Sequence, residues 1–206
     1  MVELYKKYRP VALDQMLVSG NAVPMLEKFF REGTLPHTIL IHGPSGCGKT
    51  TLARLIRDHV GCEDNDYCYH ELNCAGESRG IDAMRAIIED SESCPLVGDS
   101  VVWVLDECHM LTKDAVNALL KITEDTPEHL YFVFCTTAPD RLLLALQNRA
   151  TVLQVKEVPE NELAILVRQV SRREGNPVTA EEAKSIAVRA KGSARKALVL
   201  LHGACG

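Results

Sequence analysis

The sequence has little of several features that would assign it to particular classes of protein. Aromatic residues make up only 5% of its 206 residues, and apolar runs stop at five or six residues, of which Val101 to Leu105 is typical. Runs of this length exclude a membrane-spanning helix, which needs about 20 apolar residues. Residues 1–7 also lack the apolar core of a secretion signal. We therefore expect a cytoplasmic protein that has no membrane partner.

Charge of one sign is not in large excess either. The net charge is −5, hydrophobic residues make up 46% of the chain and charged residues 25%. These values are ordinary for a globular protein and exclude wholesale disorder. The overall charge gives no indication of nucleic-acid binding, which would have to depend on a few well-placed basic residues.

Cysteine, in contrast, is abundant, with eight residues. Cys47, Cys108 and Cys135 lie in or beside segments that read as a phosphate loop and two buried strands, so a reduced, intracellular protein is favoured over a disulfide scaffold. The group Cys62, Cys68, His70 and Cys74 lacks the close cysteine pairs of zinc modules. This spacing favours loop and core cysteines, although the sequence leaves zinc binding at Cys62, Cys68 and Cys74 undecided.

Short β-rich runs alternate with helical patterns over residues 1–158. Alternation of this kind predicts an α/β fold with a parallel sheet flanked by helices. The predicted sheet has five strands, at residues 38–42, 69–73, 101–105, 131–135 and 151–155.

The pattern becomes purely helical over residues 159–206. Helices are predicted over 161–173, from 180 to about 191, and from 194 to near 203. Thr179 and Glu182 have the spacing of a capping box, and Ser193 precedes the third helix as a cap. The sequence thus predicts two domains, a core over 1–158 and a small three-helix unit over 159–206.

A complete phosphate-loop motif lies between the first predicted strand and the following helix. Residues 43–50 read Gly-Pro-Ser-Gly-Cys-Gly-Lys-Thr, which fits G-x4-G-K-[ST]. In this motif backbone N–H groups surround phosphate oxygens, Lys49 reaches the outer phosphates and the Thr50 hydroxyl binds Mg²⁺. The predicted nucleotide-binding residues of the loop are Gly43, Pro44, Ser45, Gly46, Cys47, Gly48, Lys49, Thr50 and Thr51.

Two adjacent carboxylates follow the apolar strand at residues 101–105. We expect Asp106 to hold Mg²⁺ and Glu107 to polarise the water that attacks the γ-phosphate, which makes the chain an ATPase. Thr137 ends the next strand and either bonds the water or the γ-phosphate, or caps a turn. For Arg149, just before the last strand, the sequence alone favours an ordinary solvated side chain.

Several further motifs carry a resemblance to a known family. Residues 5–10 read Tyr-Lys-Lys-Tyr-Arg-Pro, residues 106–111 read Asp-Glu-Cys-His-Met-Leu, and residues 192–198 read Gly-Ser-Ala-Arg-Lys-Ala-Leu. With the phosphate loop, they resemble the AAA+ ATPases of the sliding-clamp-loader group, which includes the bacterial DNA polymerase III gamma/tau subunits and the replication factor C small subunits. The resemblance covers nearly the whole chain.

The resemblance implies roles for further residues. Tyr8, Arg9 and Pro10 would lie against the adenine, Arg195 of the helical lid would sense the γ-phosphate, and Thr137 would be the first sensor. Arg149 would act in trans on the ATP of a neighbouring subunit, although its box reads Asn-Arg-Ala instead of Ser-Arg-Cys. The basic residues Arg79, Arg85 and Lys113 are candidates for contacts with DNA phosphates; individually, each is equally compatible with a solvated face.

The implied function is that of an ATP-hydrolysing motor subunit that opens a ring clamp and loads it at primer–template DNA. Its partners would be the clamp, the DNA and other loader subunits, expected to form a pentamer. The collar domain and the four-cysteine module of such subunits have no counterpart in the 206 residues. The alternatives are another AAA+ DNA motor, such as a helicase loader or a branch-migration ATPase, and a non-catalytic, nucleotide-binding assembly subunit.

Overall fold

The computed structural model describes residues 2–17, 19–63, 65, 67–76, 80–91 and 100–205. A sheet runs through the part of the protein before residue 157, with strand order β1-β6-β2-β5-β4-β3. The strands are β1 (Ser19–Gly20), β2 (Thr38–His42), β3 (Tyr69–Asn73), β4 (Val101–Asp106), β5 (Leu130–Thr136) and β6 (Thr151–Lys156).

Strands β2 to β6 are parallel to one another, and β1 adds an antiparallel pair at the edge beside β6. The central strands are apolar on both faces because helices cover both. In β4 every residue except the last is buried. The five predicted parallel strands are confirmed, and the two-residue β1 is an addition that the sequence pattern did not reveal.

The helices of this part cover the two faces of the sheet. On one face, α4 and α5 contribute Met84, Ile87 and Leu119 to the core. On the other, α2 and α3 contribute Leu26, Leu52 and Ile56. The helices are α1 (Leu4–Lys7), α2 (Ala22–Glu32), α3 (Lys49–His59), α4 (Ile81–Ser91), α5 (Lys113–Ile122) and α6 (Leu144–Arg149), with short 3₁₀ turns at Leu13–Gln15, Cys108–Met110 and Pro139–Arg141.

Three helices follow the sheet and form the lid: α7 (Glu160–Arg173), α8 (Ala180–Ala190) and α9 (Ala194–Cys205). The predicted capping box is present, since Thr179 accepts from the Glu182 N–H while the Glu182 carboxylate accepts from the Thr179 N–H. Ser193 Oγ accepts from the Lys196 N–H at 3.2 Å and caps α9, as predicted.

The lid has its own apolar core, and α1 belongs to it. Leu4 is buried with Leu163, Val167 and Leu201 of the lid. Lys7 also donates to Glu174 beside the end of α7 at 2.7 Å. The lid is therefore joined to the sheet both by the chain after β6 and by the N-terminal segment. Among the described residues no helix is both long enough and apolar enough to span a membrane.

Candidate nucleotide-binding and hydrolysis site

The phosphate loop joins the carboxyl end of β2 to the N-terminus of α3. Gly48 has a φ of 97° and caps the helix. Gly43 has a φ of 146°, and a Cβ there would overlap with the Val155 carbonyl of β6. Only glycine fits this close approach of two backbones, so the sequence requirement at Gly43 follows from the packing of the loop against the sheet.

Lys49 is the buried cation of the loop, with 6% of its surface exposed. Its Nζ donates to the Gly43 carbonyl at 2.9 Å and to the Pro44 carbonyl at 3.0 Å. A buried ammonium must be paired, and the hydrogen bonds that Lys49 makes to described residues go to neutral carbonyls. Among these residues no carboxylate bonded to Nζ competes with an anion at the loop.

Thr50 and Asp106 meet across the end of the sheet. Thr50 Oγ1 donates to Asp106 Oδ2 at 3.2 Å. A hydroxyl and a carboxylate at this separation supply the hard oxygen ligands that Mg²⁺ prefers. The donor set thus fits the predicted ion, with Thr50 and Asp106 as the residues that would hold it.

Glu107 follows Asp106 in a left-handed backbone conformation, with φ 53° and ψ 39°. Its Oε2 accepts a hydrogen bond from Thr137 Oγ1 at 3.0 Å and lies 3.3 Å from His109 Nδ1. Positive φ in a non-glycine residue is uncommon and often marks a functional constraint. Thr137 lies one residue after β5, which lies between β2 and β4 in the sheet. This position brings the Thr137 hydroxyl to the Glu107 carboxylate at the end of β4.

The lid contacts the phosphate loop directly. The Gly46 carbonyl accepts from the Arg195 backbone N–H at 3.3 Å and from Ser193 Oγ at 3.4 Å. The Arg195 guanidinium lies over the Tyr5 ring, 5.6 Å from its centroid. α9 thus begins against the loop, and its first turn brings a cation to the predicted phosphate site.

A single cavity of about 520 Å³ connects these groups. Of the predicted residues it is lined by Tyr8, Arg9, Pro10, Ser45, Gly46, Cys47, Gly48, Lys49, Thr50, Thr51, Asp106, Glu107 and Arg195. Gly43, Pro44, Thr137 and Arg149 are not among its lining residues. The sequence analysis missed a further set of lining residues, Tyr5, Asp14, Gln15, Met16, Leu17, Leu166, Gln169, Val170, Arg173, Ala194 and Leu198.

The missed residues come from α1, from the segment after Pro10 and from the facing surfaces of α7 and α9. The apolar spacing of Leu166 and Val170 predicts a buried helix face, and no motif distinguishes that face from ordinary core. Arg9 is partly buried, and burial together with the nearby guanidinium groups of Arg54 and Arg195 lowers its pKa. A phosphate anion in the cavity would relieve this concentration of positive charge.

Arg149 lies at the end of α6, outside the cavity. Its Nη2 contacts Glu124 Oε2 of the same chain at 3.2 Å, and its Nη1 donates to the Ala145 carbonyl at 3.5 Å. About a third of the side chain is exposed. That Arg149 acts on the ATP of a neighbouring subunit stays a prediction.

The predicted DNA contacts divide between described and undescribed residues. Arg79 lies outside the described residues. Arg85 of α4 is exposed and lies 3.5 Å from Asp82, and Lys113 is the exposed first residue of α5. Since α4 and α5 pack against each other, both cations lie on one side of the sheet.

The cysteine group is divided between the two faces of the sheet. Cys62 and Cys68 belong to the core under α2 and α3, where Cys62 Sγ donates to the Cys68 carbonyl at 3.0 Å. Cys74 belongs to the opposite core, and burial raises the pKa of its thiol to about 12. Within the described ranges no three His, Cys, Asp or Glu side chains are grouped to hold a metal ion.

Comparisons with known proteins agree with the motifs. Residues 69–159 match the family model described as DNA polymerase III, delta subunit. The gamma/tau subunit of Mycobacterium tuberculosis is 29% identical over 193 residues, covering 84% of this chain and 33% of that protein. The gamma subunit of Buchnera aphidicola is 28% identical over 219 residues, covering 98% of this chain and 61% of that protein. The chain is similar to DNA polymerase III gamma and gamma/tau subunits.

Solved structures support the AAA+ fold of the chain. A DNA polymerase III gamma-subunit-related protein from Thermotoga maritima is 25% identical with a TM-score of 0.59, over 78% of this chain and 57% of that one. Thermotoga maritima RuvB, a Holliday junction branch migration motor, is 24% identical with a TM-score of 0.75, over 95% of this chain and 64% of that one. At this identity the likeness to RuvB shows the AAA+ fold alone. The chain spans between a third and two thirds of the length of these relatives.

Proposed function

We propose that this chain is the ATP-hydrolysing motor of a sliding-clamp loader. The observation that carries the proposal is the cavity in which Lys49, Thr50, Asp106 and Glu107 lie beside Arg195 of the lid. A non-catalytic subunit needs no acid beside the phosphate site, whereas here a candidate base and a candidate metal ligand are adjacent. The gamma and gamma/tau relatives give the clamp-loading context.

Each side chain of the cavity has a distinct role in hydrolysis. Lys49 exchanges its bonds to the Gly43 and Pro44 carbonyls for bonds to the outer phosphates of ATP. Thr50 and Asp106 would hold Mg²⁺, which would supply positive charge to the phosphates when bound. Glu107 orients the attacking water and accepts its proton, and Thr137 fixes the carboxylate through Oε2. Arg195 is placed to contact the γ-phosphate and so to couple the position of the lid to the nucleotide.

The partners follow from the family and from the exposed cations. We infer that Arg149 projects toward the ATP of a neighbouring subunit, and that Arg85 and Lys113 contact the phosphate backbone of primer–template DNA. Phosphate contacts position a protein on DNA without reading its sequence. Recognition in this proposal is therefore by shape and charge.

The decisive experiment measures ATP turnover of the full chain with its partner subunits. Clamp plus primed DNA should raise the turnover above the level with either component alone, because loading needs both. Stimulation by a four-way DNA junction, with none by clamp and primed DNA, would favour a branch-migration motor. ATP binding without turnover, whether with clamp and primed DNA or with the junction, would favour the non-catalytic, nucleotide-binding assembly subunit.

Glu107→Gln tests the catalytic part of the proposal. The variant should bind ATP within about threefold of wild type, because the amide keeps the shape and the hydrogen bond from Thr137, while turnover should fall about 100-fold or more with the loss of the base. Glu128→Gln is the matched control, since Glu128 is exposed on the loop before β5 and loses the same charge. Turnover of the Glu107 variant within threefold of wild type would remove Glu107 from this role.

A further inference from the structure

His109 lies in the 3₁₀ turn directly after the two carboxylates. Its side chain is about 10% exposed, and its ring approaches two groups through the same nitrogen. Nδ1 is 3.3 Å from Glu107 Oε2 and 2.9 Å from Thr136 Oγ1. This largely buried imidazole contacts both Glu107, the candidate base, and Thr136 at the end of β5. It can therefore hold the Glu107 carboxylate in a fixed position relative to the sheet.

The contacts determine which form of the imidazole fits. A ring nitrogen without a proton carries a lone pair, which a carboxylate oxygen at 3.3 Å would repel. A protonated Nδ1 instead donates toward both Glu107 Oε2 and Thr136 Oγ1. The approach of Nδ1 to the carboxylate therefore favours the tautomer with the proton on Nδ1, in which the ring is a donor to Glu107.

Thr136 provides the fixed end of this arrangement. It is fully buried, as the last residue of β5, and its Oγ1 also accepts from the Ala138 N–H at 3.0 Å. The hydroxyl oxygen is thus held by the strand and by the turn that follows it. The contact between His109 Nδ1 and Thr136 Oγ1 therefore lets the buried sheet determine the orientation of the imidazole.

Glu107 Oε2 receives two donors, His109 Nδ1 and Thr137 Oγ1. Among the described residues no hydrogen bond reaches Oε1, so this oxygen is the one able to face water. The left-handed backbone at Glu107 is strained, and such strain persists only where surrounding contacts hold it. The two donors on Oε2 and the Asp106 carboxylate, which accepts from the Glu107 N–H at 2.9 Å, are such contacts.

We propose that His109 is a positioning residue, which with Thr136 as its anchor holds Oε2 of Glu107 so that Oε1 points at the attacking water. The inference deepens the proposed function and rests on Glu107 as the base. His109 touches neither nucleotide nor water in this scheme. Its loss should therefore lower the rate of the chemical step and leave the binding of ATP unchanged.

Two substitutions separate positioning from a structural role. His109→Leu fills the volume but has no donor, and its single-turnover rate of ATP hydrolysis should fall about 10- to 100-fold, since small misplacements of a catalytic group cost up to this much. His109→Asn places an amide donor near the position of Nδ1 and should recover most of the rate. Both variants should bind ATP within about twofold of wild type.

The measurements are single-turnover hydrolysis of labelled ATP with the full chain in excess, together with ATP affinity and urea unfolding of each variant. A rate for His109→Leu within twofold of wild type, while wild type turns over, overturns the inference and leaves the proposed function intact. Equal rates for the Leu and Asn variants also overturn it, because a donor would then not matter. If wild type itself shows no turnover with its partners, the proposed function fails and this inference fails with it.

Discussion

Gly46→Ala probes the contact between the lid and the phosphate loop. Gly46 has a φ of 74°, and a Cβ there would overlap with Ser193 Oγ and come within 3.2 Å of Arg195 Cβ. Its carbonyl accepts two hydrogen bonds from the lid. To accommodate an added methyl group, either the Ser193 side chain must rotate or the start of α9 must move away from the loop, and each change weakens hydrogen bonding to the Gly46 carbonyl.

The magnitude follows from two contributions. A non-glycine residue in the left-handed region costs about 1–2 kcal/mol. The two long hydrogen bonds from the lid add about 1 kcal/mol between them, at the lower end of the usual range. Together they lower the free energy of unfolding by about 2–3 kcal/mol, which leaves the protein folded. If ATP binding requires the lid to be docked on the loop, loss of the lid hydrogen bonds alone, about 1 kcal/mol, weakens ATP binding about fivefold.

Gly33→Ala is the matched control. Gly33 also has a positive φ, of 64°, but a Cβ there would meet nothing within 4 Å. This variant should lose about 1–2 kcal/mol of stability and keep its affinity for ATP. Urea unfolding and titration with a fluorescent ATP analogue measure the two quantities.

A second variant distinguishes displacement of the lid from damage to the loop. Ser193→Ala removes the atom that the new methyl group would overlap, so combining it with Gly46→Ala should recover part of the lost affinity. If Gly46→Ala binds ATP within twofold of wild type, or if the double variant binds no better than the single one, the inferred coupling of lid and loop is refuted.

Two further predictions concern the lid and the subunit boundary. Thr179→Ala should lower the free energy of unfolding by about 1 kcal/mol through loss of the cap on α8, and Thr179→Ser should lose little; a urea titration that finds the two equal would contradict the capping argument. Arg149→Ala should bind ATP like wild type yet lower turnover in the assembled complex about 1,000-fold or more, with Arg31→Ala of α2 as the control. Equal turnover of the two arginine variants would show that Arg149 does not act in trans.

The parts of the fold that the sequence predicted depend on local regularity. The buried runs at β4 and β5 and the loop at 43–50 each carry their signal within a few residues, and the capping box of α8 needs only Thr179 and Glu182. Strand β1 has two residues, too few for any periodicity. Its pairing with β6 joins positions more than 130 residues apart, which no local pattern encodes.

The residues of the candidate site also divide into those that a local sequence motif predicts and those that depend on tertiary packing. The sequence predicts Lys49 and Thr50 because a phosphate loop places them at the start of the helix that follows it. It predicts Asp106 and Glu107 because two adjacent acids at the end of a buried strand fit a hydrolysis site. His109 was part of a recognised motif but received no role, since its contact with Thr136 depends on β5 lying beside β4. The cavity surface of α7 likewise depends on how the lid packs, which is a tertiary property.

The position of α1 has a consequence for how the protein is made. Lys7 and Glu174 are 167 positions apart, and at about 5–20 residues per second a ribosome needs roughly 10–30 s to synthesise the chain between them. Until α9 has been synthesised the apolar core around Leu4 stays incomplete, because Leu201 lies in that helix. Tyr5 and Tyr8 line the cavity together with Arg195 and Leu198 of α9. The part of the cavity wall that the N-terminal segment shares with α9 can therefore form only after synthesis has passed α9.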